Sequence, residues 1–90
     1  APRGLAYALN CLANVALDDG HEEEALVLYE EALGRYREAR DTRGAAMALS
    51  NMGVLYLERG ETDRAAHLLG ESIRLKRSLG NPYGLAMSLE

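Results

Sequence analysis

The chain has a single cysteine, Cys11, in 90 residues. That excludes an intramolecular disulfide, and no cysteine and histidine set has metal-ligand spacing. Apolar runs fall far short of the roughly 20 residues that cross a bilayer. No charged-then-apolar leader opens the chain. Positive charge is also scarce: the formal net charge is −4. Phosphate backbones need a positive field, so nucleic acid is not expected as a direct ligand. Alternating strand patterns, flexible linkers, glycine-rich phosphate loops and Ser/His/Asp sets are absent. The reading is a non-enzyme without cofactor, fitted to a reducing cytoplasm.

What the chain does have is a period. Arg3-Gly4-Leu5-Ala6 returns as Arg43-Gly44-Ala45-Ala46 and, loosely, as Tyr83-Gly84-Leu85-Ala86. Between residues 3–42 and 43–82, 11 of 40 aligned pairs are identical, among them Leu9/Leu49, Gly20/Gly60, Ala25/Ala65 and Arg37/Arg77. A fixed period of this size marks a solenoid, whose units bury their apolar faces against their neighbours. The units are 3–42, 43–82 and a partial third at 83–90. The chain therefore reads as one domain cut from a longer array.

Within each unit the apolar spacing is helical. Leu5, Leu9, Leu12, Ala13 and Ala16 share a stripe up to the break at Gly20. Ala25, Leu28, Tyr29, Ala32, Leu33 and Tyr36 form a second, running to about Arg40. The next unit predicts helices over 45–59 and 62–79, with Gly60 between them. Asp41 and Asn81 stand at N-cap positions, Pro82 follows as a first helical residue, and Gly80 suits a left-handed helix end. Glu22, Glu23 and Glu24 start one helix and Arg35, Arg37 and Arg40 end it, as the helix dipole favours. Short connections predict antiparallel hairpins. Small residues at Ala6, Ala13, Ala25, Ala32, Ala46, Gly53, Ala65 and Ser72 allow the helices to approach closely. The prediction is four long helices and a truncated fifth.

These residues resemble the tetratricopeptide repeat. Its pattern of a large residue, Leu-Gly, Tyr, Ala, an aromatic and Ala falls on Leu49, Met52, Gly53, Tyr56, Ala65, Leu69 and Ser72. In the first unit it falls on Leu9, Leu12, Ala13, Ala16, Ala25, Tyr29 and Ala32. The family's proline near the end of the second helix is replaced by Arg37 and Arg77. The period is 40 rather than 34, and the simplest account lengthens the second helix by about a turn and a half. Long repeats of this kind are similar to those of bacterial maltose-regulator-type signalling ATPases and transcriptional regulators, and of kinesin light chains. The resemblance implies an all-α superhelix of helical hairpins and a protein- or peptide-binding scaffold within a larger regulator. A structural spacer or oligomerisation segment is the alternative, as is the regulatory array of a signalling ATPase.

In this family the first helix of each unit lines a concave groove. That places Tyr7, Asn10, Asn14, Leu17 and Asp18, then Met47, Ser50, Val54, Leu57 and Glu58, then Met87 on the groove. Asn10 and Asn14 are four apart and share a face, where paired carboxamides suit a peptide backbone. The groove positions carry no cation, so carboxylate clamping is not expected, and a neutral or basic segment suits the mildly acidic lining. His21-Glu22 lacks the second histidine of a zinc motif, since position 25 is alanine. His67 reads as a surface residue, Cys11 as a packed thiol without a base beside it, and Tyr36, Tyr56 and Tyr83 as packing. The truncated C-terminal end leaves one face of the second unit partly bare. Self-association through that end is expected.

Overall fold

Asp41 shows how these helices begin. Its carboxylate accepts a hydrogen bond from the Gly44 backbone N–H at 3.0 Å, satisfying a donor that a helix start leaves unpaired. The computed structural model describes residues 2–80. Four helices follow in order: α1 Pro2–Asp18, α2 Glu22–Glu38, α3 Thr42–Glu58 and α4 Thr62–Gly80. No strand occurs among the described residues. The expected caps at Asn81 and Pro82, the partial third unit at 83–90, Tyr83 and Met87 lie outside them.

The first three helices each have 17 residues. A 34-residue unit with connections of this size would leave about 14 per helix, so the added length is shared by both helices. α4 runs 19 residues and includes Gly80, which the sequence placed just past its end. The connections are three residues each, longer than the one or two expected.

Each connection has the same geometry. Gly20, Arg40 and Gly60 take positive φ, at 85°, 58° and 85°. The following N–H in each case reaches back five residues: His21 to the Ala16 carbonyl, Asp41 to Tyr36 and Glu61 to Tyr56, at 2.8 to 2.9 Å. This is a Schellman-type ending, in which a left-handed residue turns the chain and satisfies orphan carbonyls. Glycine adopts that conformation freely; Arg40 does so against its Cβ.

The eight small residues picked out by the repeat are all buried. At Gly53 the approach is so tight that a Cβ would sit 2.6 Å from Cγ of Leu69. Ser72 donates its hydroxyl to the Ala46 carbonyl at 2.8 Å, so a polar group is buried there with its hydrogen bond made. α1 packs on α2, α3 on α4, and α3 on α2, giving a stack of two hairpins. Tyr29, Tyr36, Leu49 and Leu55 fill its interior. Between the hairpins the Tyr36 ring lies directly over Gly44, with no room for a side chain at that position. Arg59 adds ion pairs from the end of α3 to Glu23 at 3.2 Å and Glu22 at 4.0 Å, at the start of α2.

Candidate functional site

α1 and α3 are related by the 40-residue repeat and run side by side, which sets their N-terminal ends together. A cleft of about 710 Å³ opens there, lined by Gly4, Tyr7, Tyr36, Arg40, Asp41, Thr42, Arg43, Gly44, Met47 and Leu79. Tyr7 and Met47, predicted on the groove, meet in this cleft. Tyr7 is 59% exposed and Met47 half-buried. Farther along, Val54 and Leu57 are exposed, Ser50 and Leu17 are partly buried, and Asp18 and Glu58 are exposed at the far helix ends. Tyr7 and Asp18 are eleven residues apart on one helix, a span of about 16 Å.

The asparagine pair needs correction. Asn10 is only 3% exposed, and its carbonyl accepts from Asn51 Nδ2 at 3.3 Å, across the seam between α1 and α3. It joins the two units and cannot present its amide to a partner. Asn14 is exposed, but its carbonyl accepts the Tyr29 hydroxyl. The Asn14 NH2 group makes no bond to a described residue and can donate to a peptide. The two residues share a helix, yet 40 degrees around its circumference separates a buried seam from an open face.

The cleft also carries cations that the groove positions did not predict. Arg40 comes from the α2–α3 connection and Arg43 from the first turn of α3. Neither is ion-paired with a described residue. The α1/α3 face is therefore basic at the cleft, near Arg40 and Arg43, and acidic at the far helix ends, at Asp18 and Glu58. Asp41 tempers the basic end while capping α3. The signal missed was the left-handed connection, which the sequence marked with glycine at 20 and 60 but hid behind arginine at 40.

The remaining candidates are structural. His21 is exposed and contacts Glu24 at 3.5 Å within the first turn of α2. His67 is exposed and Cys11 partly buried. No group of histidine, cysteine and carboxylate side chains capable of holding a metal occurs among the described residues. No helix among them is long and apolar enough to cross a membrane. Tyr29, Tyr36 and Tyr56 are buried, as packing residues should be. Burial raises the Tyr29 hydroxyl above the usual tyrosine range, with Asp18 adding to it. Burial also raises Tyr36, helped by Asp41. The Tyr36 hydroxyl has no hydrogen-bond partner among the described residues.

No curated protein and no solved structure matches this chain. A family model does: the tetratricopeptide repeat matches residues 4–78. Repeats of this family are typically non-catalytic modules that mediate protein–protein interaction. With four helices in two antiparallel hairpins, and the match spanning nearly all of the described residues, this chain belongs to the tetratricopeptide repeat family.

Proposed function

We propose that the α1/α3 face binds an extended segment of a partner protein, and that the chain serves as a scaffold module of a larger regulatory protein. The observation that carries this reading is the cleft where Tyr7 and Met47 meet, continued by the exposed Val54 and Leu57. An open apolar lining flanked by charge suits a peptide better than a compact small molecule. The unlike charges at its two ends give the segment a direction: an acidic group at Arg40 and Arg43, and a basic one at Asp18 and Glu58, about 22 Å along α3 from Arg43. The groove residues in this reading are Tyr7, Asn14, Asp18, Met47, Ser50, Val54 and Glu58, with Asn10 removed to the seam.

The test is selection of peptides from a random library on the folded chain, followed by fluorescence polarisation. Tyr7→Ala with Met47→Ala should weaken the selected peptides at least tenfold, and Arg40→Glu with Arg43→Glu should change which are selected. Peptides indifferent to all four substitutions would defeat the groove reading.

A second reading treats the segment as an assembly element. Ala66 and Ile73 are exposed on α4, whereas their counterparts Leu26 and Leu33 on α2 are buried. This supports self-association at the C-terminal end, and Ile73→Glu should abolish it.

A further inference from the structure

The α2–α3 connection differs from the other two in what it presents. Where Gly20 and Gly60 stand at the left-handed residue, Arg40 holds φ at 58°. A side chain strains the backbone there, and such strain marks positions that serve something besides the fold. The guanidinium repays none of it within the chain. Arg35, Arg37, Arg59 and Arg64 are paired with carboxylates, whereas Arg40 and Arg43 have no such partner among the described residues. Both are exposed, and both line the same cleft.

Hydrogen-bond donors converge beside them. The Asp41 carboxylate and carbonyl accept the Gly44 and Ala45 N–H groups. The Thr42 and Arg43 N–H groups, the first two of α3, find no acceptor among the described residues. They lie at the positive end of a 17-residue helix. A separate observation comes from beneath the cleft. Tyr36 is 2% exposed and forms part of the cleft wall, and its buried hydroxyl has no hydrogen-bond partner among the described residues. After burial, the groups that raise its pKa are Asp41, Cys11 and Tyr7; Asp41 and Tyr7 are cleft residues, so the hydroxyl lies on that side. A buried donor without a partner is a cost that an acceptor seated in the cleft removes.

These donors outnumber what a carboxylate, with two oxygens, can accept. A phosphate monoester has three terminal oxygens and suits two guanidinium forks and a helix start together. We propose that the basic end of the cleft is a phosphate subsite, and that it takes a phosphorylated serine or threonine of the partner segment. Arg40 and Arg43 grip the phosphate, the Thr42 and Arg43 N–H groups donate to it, and Tyr36 donates from beneath. Asp41 opposes the anion while capping α3, so its charge weakens the site. The path of the segment beyond the phosphate rests on the groove reading; the subsite itself does not.

Inorganic phosphate titrated into the isotope-labelled chain, followed by NMR, reads the subsite alone. The Thr42 and Arg43 amides and the Arg40 and Arg43 Nε signals should shift and saturate at millimolar phosphate, while Arg74 and Arg77 on α4 stay still. Arg40→Glu with Arg43→Glu should abolish the shifts. Tyr36→Phe should weaken binding about threefold without lowering the thermal midpoint. Asp41→Asn keeps a capping side chain and should tighten binding. Fluorescent random peptide pools with phosphoserine, serine or glutamate at the centre then read the partner segment. The phosphoserine pool should bind about tenfold more tightly than the glutamate pool. Equal shifts at Arg74 and Arg77, binding that survives the double reversal, or a glutamate pool as tight as the phosphoserine pool would each overturn the proposal. Tyr7→Ala with Met47→Ala separates the two readings. If the phosphoserine pool ignores that pair while phosphate still shifts Thr42 and Arg43, the groove reading fails and the phosphate subsite stands.

Discussion

Arg37 of α2 donates a hydrogen bond to Glu71 of α4 at 3.0 Å, joining two helices whose Cα atoms nowhere approach within 8 Å. The pair bridges the two hairpins on the side away from the Asn10–Asn51 contact. Arg37 is about half exposed, so solvent weakens the attraction. A double-mutant cycle with Arg37→Ala and Glu71→Ala should give a coupling of about 0.5–1 kcal/mol, falling as salt is raised. A coupling above roughly 2 kcal/mol would mean the pair is more desolvated than its exposure implies.

Gly4 and Gly44 are repeat counterparts with opposite demands. Gly44→Ala should destabilise the chain severely, by about 1–3 kcal/mol, because the new Cβ meets the ring of Tyr36. Gly4→Ala should stabilise by up to about 1 kcal/mol, since nothing lies within 4 Å and alanine is the better helix former. Thermal melts of the two variants moving the same way would contradict the packing at α2 and α3.

Arg40 holds a left-handed backbone where its two counterparts are glycine. Arg40→Gly removes a steric cost of about 1–2 kcal/mol and adds chain entropy to the unfolded state. The net expectation is stabilisation of about 0.5–1 kcal/mol in urea titration, together with weaker peptide binding if Arg40 contacts the partner. Lower stability on this change would argue that the arginine side chain holds the connection together.

The two buried tyrosines should separate on losing their hydroxyls. Tyr36→Phe should be neutral or slightly stabilising, since that hydroxyl has no partner among the described residues. Tyr29→Phe should cost about 0.5–1.5 kcal/mol through the lost bond to Asn14. Equal effects would show that the Asn14 contact contributes nothing to stability.

Both tyrosines also make the fold sensitive to alkali. Their folded pKa values are raised above the ordinary 10.0, so above that pH the unfolded chain gives up protons that the folded chain keeps. Their contribution is fully present below pH 10 and is lost as pH rises through the folded values. The urea midpoint should therefore fall above pH 10, and the Tyr29→Phe, Tyr36→Phe double variant should lose less of it.

The interior was largely legible from the chain itself. Ala6, Gly53 and Ser72 recur at positions where two helices nearly touch, and period alone identifies such places. Asn10 was not legible, because its place on the groove side depends on how far α3 leans onto α1, which no spacing records. Arg40 was hidden because a left-handed turn usually announces itself with glycine. Leu5 and Leu12 stood in the apolar stripe with Leu9, Ala13 and Ala16, yet both are exposed while the other three are buried.

The three connections are superimposable in kind, and they recur every 20 residues although the sequence repeats every 40. A turn that is the same everywhere cannot tell α2 whether its hairpin partner is α1 or α3. That choice falls to the side chains, to Ala6 and Ala13 against Ala25 and Ala32 on one side and Gly44 beneath Tyr36 on the other. Pairing frame and turn geometry are thus independent variables in this chain. A designer could reassign which helices form a hairpin by exchanging small residues between faces, without altering a single connection.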